Sequence, residues 1–137
     1  MKGNTYIVMV IDMDEKIPAY VKWLSRETRA KLADLLSKGI AEETDRGIDE
    51  ARKSGGSVPR RNVHRKMAEM LRITHVSVFQ ILNRSLTPSD RLTAAIINET
   101  LRRRPDETRQ LILEDVEIQQ RLVKMELEKL SEMIEKR

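Results

Sequence analysis

The chain has 137 residues, of which 39% are hydrophobic, 35% charged and only 3% aromatic, and it has no cysteine. That length fits one small domain with appendages and an aliphatic core, and the missing cysteines exclude disulfides, zinc ribbons and thiol chemistry. The net charge of +4 is unevenly spread: residues 51–110 carry 13 basic and 5 acidic side chains, net +8, while residues 1–50 and 111–137 are each net −2. A basic segment between mildly acidic ends is the footprint of a nucleic-acid contact surface, and a solvated basic face has the same composition.

Residues 5–11, TYIVMVI, are β-branched and apolar and predict a short strand. Pro18 opens a turn or short helix carrying Tyr20 and Trp23. Ser25 can cap a helix from about Arg26 to Lys38, with Ala30, Leu32, Leu35 and Leu36 inward. Gly39 is expected to interrupt it, after which Ile40, Thr44, Ile48 and Ala51 recur at helical spacing, with Gly47 a weak point. SGGSVP, residues 54–59, reads as a flexible break. Two short helices follow, near Val63–Arg72 and His75–Asn83. Another runs from about Ser89 to Arg103 with Leu92, Ala95, Ile96 and Leu101, and Pro105 sits where the first turn of a last helix begins. The fold class expected is mainly α: a helical domain with a short N-terminal β-strand and a long C-terminal helix. Its parts are 1–39, 40–104 and 105–137. No stretch approaches a membrane span and no signal-type start is seen, so a cytoplasmic protein without a membrane partner is expected.

The pair of short helices has a pattern of its own. Met67, Ala68, Leu71, Ile73, Val78 and Ile81 suit a helix-turn-helix, in which the first helix crosses close over the second. Ala68 is the small residue at the crossing, Ile73 plugs the turn, and the others face the core. One face of the second helix is left for a DNA major groove, and it carries Thr74, His75, Val76, Gln80 and Asn83. Gln and Asn can bond adenine in bidentate fashion, and Val can touch a thymine methyl. These five are the candidate base contacts.

RKMAEMLRITHVSVFQILNRSLTPSDRLTAAI, residues 65–97, resembles the lambda-repressor-type helix-turn-helix family. The small residue at Ala68, the IT at the turn, the ILN closing the second helix and the TPS leading into another amphipathic helix carry the likeness. It covers about a quarter of the chain strongly. It implies a compact DNA-binding domain with the helix near 75–83 as recognition helix. Two positions where the family usually has Gly are Arg72, in the turn, and Arg84, after the recognition helix. A positive φ costs an arginine energy, so the turn is expected to differ in detail. The link SGGSVPRRN is also longer than the family's.

In such folds the start of the first helix faces the phosphate backbone, so Arg60, Arg61, Arg65, Lys66, Ser77 and Arg84 are candidate phosphate contacts. Arg102, Arg103 and Arg104 form a second cluster that suits either DNA or a helix C-terminus. Leu113, Val116, Gln120, Val123, Leu127, Leu130 and Ile134 are spaced 3, 4, 3, 4, 3, 4, a heptad seam broken once by Gln120. Leu111, Ile118, Leu122 and Met125 widen the stripe in the first half, which is expected to pack on more than one neighbour. The later part, with Val123, Leu127, Leu130 and Ile134, is the candidate homodimer seam; a helix folded back on its own domain is the competing reading. The strand at 5–11, which lacks a partner strand in the sequence, is a second candidate interface by pairing with its copy in another subunit.

Catalysis has little support: there are two histidines, His64 and His75, and no metalloprotease, nucleophile-elbow or phosphate-loop pattern. No cofactor, metal or small-molecule ligand is expected, and acidic pairs such as Glu42–Glu43 read as solvated. The function expected is a dimeric, sequence-specific binder of double-stranded DNA, a transcriptional repressor or regulator. The alternatives are a mobile-element accessory factor, for partition, excision or integration, and an antitoxin-like protein–protein module.

Overall fold

The computed structural model describes residues 17–57 and 62–136. The strand expected at 5–11 and the cations Arg60 and Arg61 lie outside the described residues. Within them the chain is mainly α. A short 3₁₀ helix, Ala19–Trp23, precedes α1 (Arg26–Lys53), α2 (Val63–Leu71), α3 (His75–Leu82), α4 (Asp90–Arg103) and α5 (Pro105–Glu135).

Helix α1 is the spine. Ser25 caps it by accepting a hydrogen bond from the Thr28 amide, Glu27 stands in its first turn, and Arg52 and Lys53 stand in its last. Cap and charges all favour a helix in this direction. Leu32, Ala33, Leu36 and Ile40 form its buried stripe, and α2, α3, α4 and α5 all pack on it. The interruption expected at Gly39 does not occur, and the helix runs through it. A Cβ at Gly39 would lie 3.1 Å from Cδ and 3.3 Å from Cβ of Arg103. The glycine therefore lets α4 come close, a demand made by tertiary packing that no helical periodicity reveals. The helix stops at the SGGS segment, where Gly55 takes φ +72° and its amide bonds the Arg52 carbonyl.

The core joins Val21, Leu24, the α1 stripe, Met67, Ala68, Leu71, Val78, Ile81, Ala94, Ile96 and Ile97. Ala68, Met67, Leu71, Val78 and Ile81 are all buried, and Ile73 packs against them from the turn. In α4 the inward face differs from the expected one. Thr93, Ala94, Ile97 and Thr100 join Ile96 in the interior, whereas Leu101 is exposed. Thr100 Oγ1 donates to the Ile97 carbonyl, which removes the cost of placing a hydroxyl there.

Helix α5 begins with Pro105 at its first turn and packs on α4, α1 and the 3₁₀ helix. Leu111, Ile112 and Val116 seat it on the core. Buried Asp115 accepts a 2.6 Å hydrogen bond from the Ser25 amide, tying α5 to the start of α1. From Lys124 to Lys136 every residue is exposed. At 1.5 Å per residue, roughly 18 Å of helix extends past the core. No helix among the described residues is long and apolar enough to cross a membrane.

The two glycines of α1 offer a controlled comparison. Nothing lies within 4 Å of a Cβ built at Gly47, so Gly47→Ala is expected to stabilise the protein by about 0.5–1 kcal/mol, the usual Gly-to-Ala gain in a helix. Gly39→Ala should forfeit that gain or reverse it, because Arg103 must move. Equal gains for both in thermal unfolding would show that α4 does not need the close approach.

Candidate nucleic-acid interface

Helices α2 and α3 are joined by Arg72, Ile73 and Thr74. Asn62 caps α2 through the Arg65 amide, and Thr74 caps α3 through the Ser77 amide. Thr74 Oγ1 also lies 2.8 Å from Ser77 Oγ. Both residues are therefore engaged in the helix start they were expected to present to a ligand, though Thr74 remains exposed and Ser77 half-exposed.

Arg72 takes φ 56°, ψ 44°, and Arg84 takes φ 68°. The turn expected to differ because it lacks glycine keeps the left-handed backbone instead. At Arg72 the Ile73 amide bonds the Ala68 carbonyl, closing α2 in the manner a C-terminal glycine would. Packing of Ile73 and the cap at Thr74 hold the backbone there against the cost of φ > 0.

Around α3, Val78 and Ile81 point inward and His75, Val76, Phe79, Gln80 and Asn83 are exposed. Thus four of the expected base-contact residues share one outward face, with Thr74 at its start. Asn83 Oδ1 accepts from the Ser85 amide at 2.9 Å, so its amide oxygen is already engaged. Gln80 stands exposed one turn earlier. Phe79 was not anticipated. Its ring lies 5.1 Å from that of His75, stacked, and 4.6 Å from that of His64, edge-on. Its i,i+4 spacing from His75 could have revealed the first contact; His64 comes from α2 and was not legible.

The cations divide into two groups. Arg65 pairs only with Glu69 of its own helix, both side chains being well exposed. Such a pair contributes little and is readily exchanged. Lys66 donates to Thr44 Oγ1 at 3.0 Å. Arg84, expected at a phosphate, is instead bound to Asp34 through both terminal nitrogens at 2.6 and 3.0 Å, with Glu27 at 3.4 Å. The hydrogen bond to Asp34 is the main cause raising its pKa above the ordinary arginine value. It fastens the end of α3 to α1. Arg103 is held by Glu43 and Glu99, and Arg104 by Glu42 and Glu107. Glu42 and Glu43 are exposed, as expected, and are at the same time partners in a latch between α1 and the α4–α5 corner. Arg102 alone of that cluster of arginines is well exposed. Part of the +8 excess is therefore spent on structure.

The His-pair and carboxylate inventory offers no metal centre: no group of three or more possible ligands occurs among the described residues. No family model, curated protein or solved structure matches the chain.

The two left-handed arginines should separate by substitution. Arg72→Gly is expected to raise stability by about 0.5–1 kcal/mol by relieving the positive φ. Arg84→Gly relieves the same strain but loses Asp34 and Glu27, and should not stabilise. A stabilised Arg84→Gly protein in denaturant titration would show that its ion pairs contribute nothing.

Proposed function

We propose that the protein is a sequence-specific binder of double-stranded DNA, in which α2 and α3 form a helix-turn-helix and α3 enters the major groove. The observation that carries this reading is the outward face of α3. Gln80 and Asn83, with His75, Val76 and Thr74, stand on one exposed side of a helix whose other side is buried. Arg65, Lys66 and Arg72 are exposed on the adjoining helix and turn. Base edges are read by such amides and apolar groups, and phosphates by such cations. Arg60 and Arg61 extend the basic entry in sequence. Regulation of transcription, by repression, is the process such a protein serves most simply, and no catalytic role is proposed.

Selection of bound duplexes from a random library tests the reading. A near-palindrome with half-sites about one helical turn apart is the expected product; recovery of unenriched sequence would overturn it. On the enriched duplex, Gln80→Ala should lower affinity by roughly 1–3 kcal/mol and relax one base-pair preference. Arg65→Ala should instead weaken binding to all duplexes and reduce the salt slope by about one unit. Equal loss on specific and random DNA for Gln80→Ala would remove it as a base reader.

Homodimerisation through the far half of α5 completes the proposal. Leu127, Leu130 and Ile134 are each more than half exposed beyond the core, while Val123 is half-buried where the helix leaves it. Burying three such side chains per chain is worth on the order of 10 kcal/mol, against an association cost of about 4–15 kcal/mol. The seam therefore supports a weak dimer, in micromolar or higher concentration, that two half-sites on one duplex would complete. Leu127→Asp with Leu130→Asp should abolish the concentration-dependent dimer in sedimentation with helicity kept. A dimer that survives the double substitution would place the interface elsewhere, and unfolding would make this half of α5 part of the chain's own core.

A further inference from the structure

We propose that Phe79 reads the 5-methyl group of a thymine in the major groove, an inference that rests on the DNA-binding reading of α3. This is the chain's single phenylalanine. The core is aliphatic, and burial is where a side chain of this kind is ordinarily found. Instead its relative exposure is 49%, and that of Val76, one turn before it, is 64%. Phe79 follows Val76 by three residues and precedes Asn83 by four, so it lies in the column of exposed residues along α3. His75 stacks on its ring and His64 meets it edge-on. Both separations lie in the range of favourable aromatic pairs. A ring held from two sides loses little side-chain freedom when a ligand covers it.

The remaining exposed area is apolar. Arg65 stands on the helix that supplies His64 and Arg72 in the turn before His75, both exposed, whereas Lys66 is turned to Thr44 of α1. On the DNA-binding reading of α3, a duplex brings a methyl group to the ring in the groove and phosphates to the exposed cations of α2 and the turn. Thymine is the only one of the four bases to present a methyl there, and Phe is among the side chains that contact it. Cytosine and adenine offer polar groups to an apolar ring and are disfavoured by it.

The test uses the full chain and the duplex enriched from a random library, with each thymine replaced in turn by deoxyuridine, which keeps pairing and removes only the methyl. Fluorescence anisotropy is expected to show one thymine per half-site where the replacement weakens binding about fourfold, the factor corresponding to one buried methyl-sized group. In Phe79→Ala that thymine-over-uracil preference should vanish while Gln80-dependent preference at its own base pair persists. Phe79→Leu, which keeps an apolar side chain, should retain part of it and guards against a folding defect. Tolerance of uracil at every position, with specific binding intact, overturns the inference and leaves the DNA-binding reading standing. A preference that persists in Phe79→Ala overturns it too, since Val76 would then be the reader. Failure to enrich any duplex sinks both.

Discussion

The structure depends most on one buried guanidinium. Arg29, only 8% exposed, donates from Nε to the Leu24 carbonyl and from its terminal nitrogens to the carbonyls of Val21 and Pro88, and it pairs with Asp90 at 2.9 Å. It thereby joins the 3₁₀ helix, the spine α1 and the segment leading into α4. Each of those carbonyls would cost about 1–3 kcal/mol if left buried and unpaired, and whole domains hold only about 5–15 kcal/mol in reserve. A lysine could not replace it. Three acceptors in different directions require a planar fork with several N–H groups, not a single ammonium. Because α1 carries α3 and, with the 3₁₀ helix, also carries α5, this arginine helps set where both α3 and the C-terminal arm stand.

Seen this way, basic residues in this chain have two occupations that composition cannot separate. Arg29, Arg84, Arg103 and Arg104 each have carboxylate partners on another element. They hold α3, α4 and α5 to the rest of the protein. Arg65 and Arg72 stand exposed on α2 and the turn after it, and Lys66 is bonded to Thr44 of α1. A surface ion pair within one helix, such as Arg65–Glu69, yields easily to a phosphate, whereas Arg84 could turn to a phosphate only by leaving two carboxylates on α1. The net charge of a segment therefore overstates the field that a ligand meets.

What was legible in the sequence was what local rules determine. The cap at Ser25, the proline opening α5, and the inward set from Met67 to Ile81 follow from periodicity and hydrogen-bonding chemistry, and helices stand where those signals placed them. The caps at Thr74 and Ser89 emerge only in the structure. What escaped was set by contacts distant in sequence. Gly39 looked like a break because its partner, Arg103, is 64 positions away. Arg84 looked like a phosphate ligand because Asp34 is 50 positions away. Thr93 and Thr100 were not singled out because nothing local shows that their hydroxyls find carbonyls in the interior. The strand at 5–11 falls outside the described residues. On the proposed DNA face His75, Val76 and Gln80 lie exposed on α3, with Thr74 and Asn83 capping its two ends. Phe79 beside them was passed over because an apolar residue is by default assigned to a core.

Helix α5 packs on α4, α1 and the 3₁₀ helix, while α2 and α3 contact one another and α1, and α2 also touches α4. An arm placed so leaves the outward face of α3 uncovered, and pairing of two arms would not compete with DNA for the same surface. It also separates the energetics. On the proposed reading, changes to Leu127 or Leu130 would act on assembly and changes to Gln80 or Phe79 on recognition, and additive effects are then expected of such separate sites. If the proposed dimer forms, a weak seam would serve a DNA-binding protein: a monomer would bind a half-site poorly, occupancy of a full site would rise steeply with concentration, and the apolar side chains between Val123 and Ile134 would set the threshold.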